Sequence, residues 1–359
     1  MLWMGIALLL LYLGSNVYLF VRLISLLSTL PIGIRIAFGT LFWLCAIALF
    51  VAMALRDATA IEPLTRILFN IGSAWLVFLL YMTLATLLVD IIHIIVPSFH
   101  YGTWCALGIT LLLLTYGYYN HRHPRVKQMT ITTQKEMAAP CRIAMVSDIH
   151  LGYGTDREDL AGYVDLINAQ KADVVVVVGD LIDNSIKPVK ASDMCAEFER
   201  ITAPEGVYMV AGNHEYISGI EACEEYLATT PVRLVRDSVV RLESGIQLLC
   251  RDDRSNRDRA TIESLLSHCD LSLPTILLDH QPYDIAISDS LQVDIHLSGH
   301  THRGQVWPLN WIVDKMYEQS CGYRQWSYTQ AFVSSGLSLW GPPFRIGTHG
   351  EIAIIDILP

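Results

Sequence analysis

From Asp148 onward the chain carries five short clusters of Asp, Asn and His: Asp148-Ile149-His150, Gly179-Asp180-Leu181-Ile182-Asp183, Gly212-Asn213-His214-Glu215, His280, and Gly299-His300-Thr301-His302. Carboxylate, amide oxygen and imidazole, with no thiolate among them, are donors that suit manganese, iron or zinc. One such cluster decides little, because helix caps and turns use the same residue types. Five in order, each rich in donors, can converge on one edge of a sheet and act together.

The elements that would position them are legible around each cluster. Residues 141–147 form a short apolar strand that runs into Asp148. A helical stretch over 157–170 leads to 173–178, a β-branched run ending in Gly179 and Asp180, which reads as strand, helix, strand. Another strand over 206–210 runs into Gly212 and Asn213, with a helix following through about Leu227. Further apolar runs end at His280 and at Gly299. Polar groups just beyond the C-terminal ends of strands are where open α/β sheets place their ligands.

As a set, the clusters resemble the pattern of the calcineurin-like metallophosphoesterase family, DxH, GDxxD, GNH[DE], H and GHxH, with every ligand position filled, over residues 141–359. The resemblance implies an α/β domain of two mixed β-sheets, sandwiched and flanked by helices. It also implies two divalent metal ions, one held by Asp148, His150 and His302 and the other by Asn213, His280 and His300, with Asp180 bridging them. Manganese is expected first, then iron or zinc. Two cations about 3.5–4 Å apart lower the pKa of a bridging water, orient a phosphate and stabilise the attacking and leaving oxygens of an in-line displacement. The implied activity is therefore hydrolysis of a phosphoester or pyrophosphate. The resemblance gives His214 the catalytic role of stabilising the transition state or protonating the leaving oxygen, for which imidazole titrates in the right range. Asp183 and Glu215 are expected to orient imidazoles, or else to act as turn and helix-cap acids. Arg303, where related sequences often carry Gly, either clamps a substrate phosphate or is solvated.

Composition divides the chain. Hydrophobic residues make up 52% of its 359 residues, and they crowd into the first third. Four uncharged or nearly uncharged runs, 1–23, 36–55, 67–89 and 101–119, come close to the ~20 residues that cross ~30 Å of hydrocarbon. They lack the polar stripe of a buried soluble helix. The expected organisation is a four-helix transmembrane domain over 1–120, a juxtamembrane segment over 121–140 that reads as a linker or a first edge strand, and the phosphoesterase domain over 141–359. Asp90 and His93, near the end of the third run, are candidates for a proton or ligand role, set against boundary groups that reach the headgroups.

With four spans both ends of the bundle share one side. Arg56, Arg66, Arg122, Arg125 and Lys127 lie there, against Arg22 and Arg35 opposite. The positive-inside rule then expects the catalytic domain in the cytoplasm, on a multi-pass protein of the bacterial inner membrane. Eight scattered cysteines without a CxxC pair fit reduced thiols. A net charge of −10 with no basic cluster in the soluble part speaks against nucleic acid as a partner.

The tail is dense in aromatics, Trp307, Trp311, Tyr317, Tyr323, Trp326 and Trp340, which form either core or a face against lipid headgroups. Strands near Phe332 and Ile352 are expected to close the second sheet. An amphiphile confined to the membrane gains effective concentration from an enzyme confined with it. The expected partners are therefore the bilayer and a membrane lipid, as phosphoester or pyrophosphate, with Arg303 and the Trp311 to Trp326 segment holding phosphate and headgroup. Family members that hydrolyse the pyrophosphate of UDP-diacylglucosamine exemplify the class. The alternatives are a small water-soluble phosphoester for a broad-specificity phosphodiesterase merely anchored by its helices, a catalytically silent scaffold or sensor, and a transporter, which spans without a Gly/Pro-broken helix pair and with only unpaired intramembrane charges disfavour. Oligomeric state has no signature in the sequence.

Overall fold

The computed structural model describes residues 2–359, in two units: the chain through Tyr119 together with Gly341–Phe344, and Asn120–Trp340 together with Arg345–Pro359. Met1 of the first expected span and the thiol of Cys195 lie outside the described residues.

The helices are α1 (Leu2–Leu26), α2 (Ile32–Ala54), α3 (Glu62–Ile95) and α4 (Gly102–His121). Among the described residues α1, α2 and α3 are long and apolar enough to cross a membrane, and α4 is not, so the count is three rather than the expected four. The last turns of α4 explain the difference. Tyr116-Gly117-Tyr118-Tyr119-Asn120-His121 dilutes its apolar run, and Asn120 Nδ2 donates to the carbonyls of Arg345 (2.9 Å) and Thr348 (2.7 Å) in the second unit.

Within the helical unit, Leu19, Phe42, Leu79 and Met82 are buried together, and the Phe42 ring meets Trp75 edge-on at 4.7 Å. Buried Asn16 accepts from Trp75 Nε1 (3.0 Å) and donates to the Tyr12 carbonyl (2.8 Å). Asp90 pairs with Arg22 of α1 and accepts from the Tyr18 hydroxyl at 2.5 Å. This paired charge between two spans corrects the expectation of unpaired ones and gives Asp90 a structural role, while His93 is exposed.

The second unit holds twelve strands, β1 (Arg125–Thr132), β2 (Cys141–Val146), β3 (Val174–Val178), β4 (Gly206–Val210), β5 (Val232–Leu234), β6 (Ser238–Arg241), β7 (Gln247–Cys250), β8 (Thr275–Leu278), β9 (Ile295–Ser298), β10 (Gly322–Gln325), β11 (Gln330–Val333) and β12 (Glu351–Leu358). They form two six-stranded mixed sheets, ordered β1-β12-β2-β3-β4-β5 and β10-β11-β9-β8-β7-β6. The five consecutive valines of β3 are buried on both faces, as a central parallel strand requires. One face, with Val174, Val176 and Val178, packs against Leu248, Ile276 and Leu297 of the facing sheet. The other, with Val175 and Val177, lies under Leu160, Val164 and Ile167 of α5 (Arg157–Ala169). That helix starts at a capping box, where Asp156 accepts from the backbone of Glu158 and Asp159, and Asp159 reaches back.

Three expectations are resolved or corrected. The segment 121–140 is no free tether, because β1 pairs in parallel with β12 at the sheet edge. Strand β12 does not close the second sheet; it sits between β1 and β2 because it is buried on both faces, Ile352 and Ile354 toward one core and Ile355 and Ile357 toward the other. The helix after Asn213 is broken at Gly219, with φ of 96°, into Asn213–Ser218 and Ile220–Leu227.

Candidate metal centre

Strands β2, β3 and β4 run parallel side by side, so their C-terminal ends carry Asp148, Asp180 and Asn213 to one edge. Strands β8 and β9 of the facing sheet are also parallel and end next to His280 and His300. Two triads with no shared member result, Asp148 with His150 and His302, and Asp180 with His280 and His300, and a third, Asp183 with His150 and His214, overlaps the first through His150; in each the donor atoms lie within 4.8 Å of one another. His150 Nε2 stands 3.1 Å from His302 Nε2 and 3.8 Å from Asp180 Oδ2, while His280 Nε2 stands 3.1 Å from the same Asp180 oxygen. Asp180 thus faces both groups. Asn213 Oδ1 is buried without a hydrogen bond.

The backbone is bent to make this convergence. Asp148, His150, Asp180, His300 and His302 all have φ between 46° and 71°. Left-handed conformations of this kind cost on the order of 1–3 kcal/mol per non-glycine residue and cluster at functional sites. Two glycines make room: a Cβ on Gly179, at φ 78°, would stand 2.4 Å from His280 Nδ1, and one on Gly212 would stand 2.2 Å from Asp180 Oδ1.

Neighbouring groups fix the imidazoles. His280 Nδ1 donates to the Val178 carbonyl at 2.8 Å, which turns Nε2 toward Asp180 as the nitrogen that would bind a metal on losing its proton. Asp183 Oδ1 lies 3.3 Å from His150 Nδ1 and 3.1 Å from His214 Nδ1, so one carboxylate serves an expected ligand and the expected acid. Glu215 instead accepts from the backbone N–H groups of Asp180 (3.0 Å), Ile182 (2.9 Å) and Gly212 (2.7 Å), tying the loop after β3 to the loop after β4.

Burial pushes His302 well below its usual range and His300 down to about 4, so both rings are neutral, the form that binds metal. Burial would also lower His280, but the Asp180 and Asp148 carboxylates hold it well above its ordinary value. Burial opposes protonation of His214 too; Asp183 and Asp180 outweigh it and raise the ring to about 9. Among the described residues no Lys or Arg lies within ion-pair distance of Asp148, Asp180 or Asp183. Buried carboxylates that lack a basic partner, inward-facing imidazole nitrogens and the orphaned Asn213 oxygen together fit two divalent cations.

A cleft of about 290 Å³ opens over the centre and is lined by His214 and His300 together with Gln305, Leu309 and Trp340. The last three carry no motif; only Trp340 stands out in the sequence, as one of the tail aromatics. Gln305 Oε1 accepts from the Trp340 N–H and its Nε2 donates to the Trp340 carbonyl, both at 3.1 Å. Arg345, fully buried, donates to the carbonyls of His302 (3.3 Å) and Gly336 (3.1 Å), and no sequence signal marks it. Arg303 is not among the cleft-lining residues and stands 3.6 Å from Asp314.

Comparison with known proteins agrees with this geometry. The family described as calcineurin-like phosphoesterase matches residues 141–304. A Helicobacter pylori (strain J99) protein named an uncharacterized metallophosphoesterase is 34% identical over 263 residues, covering 70% of either chain. The chain belongs to the calcineurin-like phosphoesterase family. A Danio rerio relative, named transmembrane protein with metallophosphoesterase domain, is 32% identical over 272 residues, 70% of this chain and 62% of that one. Among solved structures, a dimetal phosphatase from Danio rerio aligns with a TM-score of 0.34 and 15% identity over 54% of this chain and 87% of that one, too low a similarity to carry weight. As a calcineurin-like phosphoesterase, the domain is a metal-dependent phosphoester hydrolase, and the strand-end Asp and His clusters are where its divalent metal centre belongs.

Proposed function

We propose that this phosphoesterase is anchored in a membrane by α1, α2 and α3 and hydrolyses a phosphoester or pyrophosphate bond carried by a lipid of that membrane. The observation that carries the reading is an apolar surface at the mouth of the cleft. Leu309 lines the cleft and opens the helix Leu309–Met316, which exposes Trp311 (59%), Ile312 (57%) and Met316 (62%). Grouped apolar side chains of this size mark an interaction surface, and Trp favours the boundary between lipid and water. Acyl chains on this face leave the phosphate free to enter the cleft beside it. Arg303, paired with Asp314 of the same helix, ties that helix to the loop of His302.

In this reading Asp148, His150 and His302 hold one cation, Asn213, His280 and His300 the other, with Asp180 between them. The bound cations, manganese first among them, would supply an activated water and neutralise the charge that develops on the phosphate. Asp183 orients His214 through Nδ1, so the other ring nitrogen is free to protonate the leaving oxygen in the cleft.

Orientation follows from the loops. With three spans, Arg122, Arg125 and Lys127 join the side of Arg22 and Arg35, against Arg56 and Arg66. With four they would join Arg56 and Arg66, so the catalytic domain travels with the basic excess under either count, which supports a cytoplasmic catalytic domain on a bacterial inner-membrane protein. The test of the substrate compares kcat/KM for a diacylated phosphoester in mixed micelles with that for its deacylated headgroup, using full-length protein. The lipid form should be favoured by on the order of ten-fold or more, and replacing Trp311, Ile312 and Met316 together by Ser should remove most of that preference. Equal kcat/KM for the two substrates would rule the lipid reading out and leave an anchored phosphodiesterase of broad specificity.

A further inference from the structure

Four arginines, Arg251, Arg254, Arg257 and Arg259, lie in or beside the loop that follows β7, and they are treated differently. Arg251 and Arg259 each contact Asp279 and Asp284 at 2.7–3.1 Å and are neutralised. Arg254 has no ion pair with a carboxylate among the described residues, yet it is held in place: its guanidinium sits 4.3 Å from the centre of the Tyr283 ring. The loop beneath it is fixed, because buried Asp253 accepts from Gln281 Nε2 (2.7 Å) and from the Ser255 N–H (2.8 Å), and Gln281 directly follows His280.

Tyr283 continues toward the metal centre. Its ring lies 5.0 Å from Tyr317, with the two hydroxyls 3.2 Å apart, and the Tyr317 ring lies 6.3 Å from that of His300. A row of rings therefore connects an expected metal ligand to an exposed, stacked cation. A guanidinium stacked on an aromatic face keeps its in-plane N–H groups free, and those groups match a phosphate or carboxylate in bidentate fashion. The tyrosines between the two ends are partly exposed, Tyr283 to 41%, and exposed tyrosine rings suit a sugar or a nucleoside.

We propose that Arg254, seated on Tyr283, is a second anion-binding position of the active site, and that the preferred substrate is a phosphoester of a sugar or nucleoside carrying a further phosphate or carboxylate. The inference rests on the metal centre receiving the scissile phosphate and is independent of whether the substrate is a lipid.

The test is calorimetric and needs no turnover. Full-length protein is titrated with thymidine 5′-monophosphate and thymidine 3′,5′-bisphosphate in one arm, and with glucose 1-phosphate and glucose 1,6-bisphosphate in the other, which distinguishes nucleoside from sugar. In at least one arm the bisphosphate should bind about ten-fold more tightly, the scale of one charge-assisted contact partly screened by solvent. Arg254→Ala should erase the difference, and Tyr283→Leu, which removes the ring beneath the guanidinium, should reduce it. Arg257→Ala, an exposed arginine of the same loop, should keep it. Equal affinities in both arms of the wild-type protein, or a preference that survives Arg254→Ala, would overturn the proposal. Hydrolysis of bis(p-nitrophenyl) phosphate by the same samples reports separately on the metal centre.

Discussion

Two groups of acids lie close to strand ends of the same domain and are balanced in opposite ways. Beyond β8, Asp279 and Asp284 are each gripped by both Arg251 and Arg259. Beyond β2 and β3, Asp148, Asp180 and Asp183 face imidazoles and backbone N–H groups, and no Lys or Arg among the described residues comes within ion-pair distance, although buried Arg345 feels the charge of Asp148. A buried carboxylate without a counter-charge is destabilising by several kcal/mol in order of magnitude. In the first group the chain provides fixed charges of both signs, whereas in the second it provides acids and imidazoles, whose protons can give way to cations from solution. The border between them is one peptide bond wide, since Asp279 belongs to the arginine network and His280 to the metal centre. The contrast separates a group that holds the fold from one that recruits cations.

That contrast orders the expected effects of substitution on turnover. Asp180→Asn, which removes the carboxylate facing both triads, should abolish phosphoester hydrolysis and lower metal content while the domain stays folded, as measured by activity assay, elemental analysis and circular dichroism. Full metal with wild-type turnover would erase the distinction between the two groups. His214→Ala should retain the metals and slow kcat by about 10²–10⁴, the range for losing a general acid; a collapse of metal content would make His214 a ligand instead. Asp183→Asn acts through the rings of His150 and His214, and a loss of about 10–100-fold in activity or metal affinity is expected. Arg251→Met belongs to the other group. It should lower stability by roughly 3 kcal/mol, seen in chemical denaturation, yet leave metal content and kcat near wild type. Loss of metal in that variant would show that the two groups are one.

The convergence of the candidate ligands is legible in the sequence because their clusters follow the ends of apolar runs, and parallel neighbours bring such ends together without further information. The five valines of β3 are legible for the same reason, since a run buried on both faces must be central. What escapes the sequence depends on contacts between distant segments. The sharing of Asp183 by His150 and His214 appears only once the ends of β2, β3 and β4 are adjacent. Gln305 and Arg345 act by hydrogen bonds to backbone groups, which no residue type announces. Strand β12 is as apolar as a closing strand of either sheet, and only its pairing with β1 and β2 decides between them. In the helical unit, α4 has the length of a span, but Asn120 and His121 are buried in the second unit. The pairing of Arg22 with Asp90 joins residues 68 positions apart in sequence and has no local signature.

The most direct test of the account is the metal content of purified full-length protein, read by elemental analysis beside its phosphoesterase activity. About two divalent ions per chain are expected, the number that a two-metal displacement requires, with joint loss of metal and activity on treatment with a chelator and both restored by added manganese. Turnover that persists in protein holding less than one divalent ion per chain would contradict it.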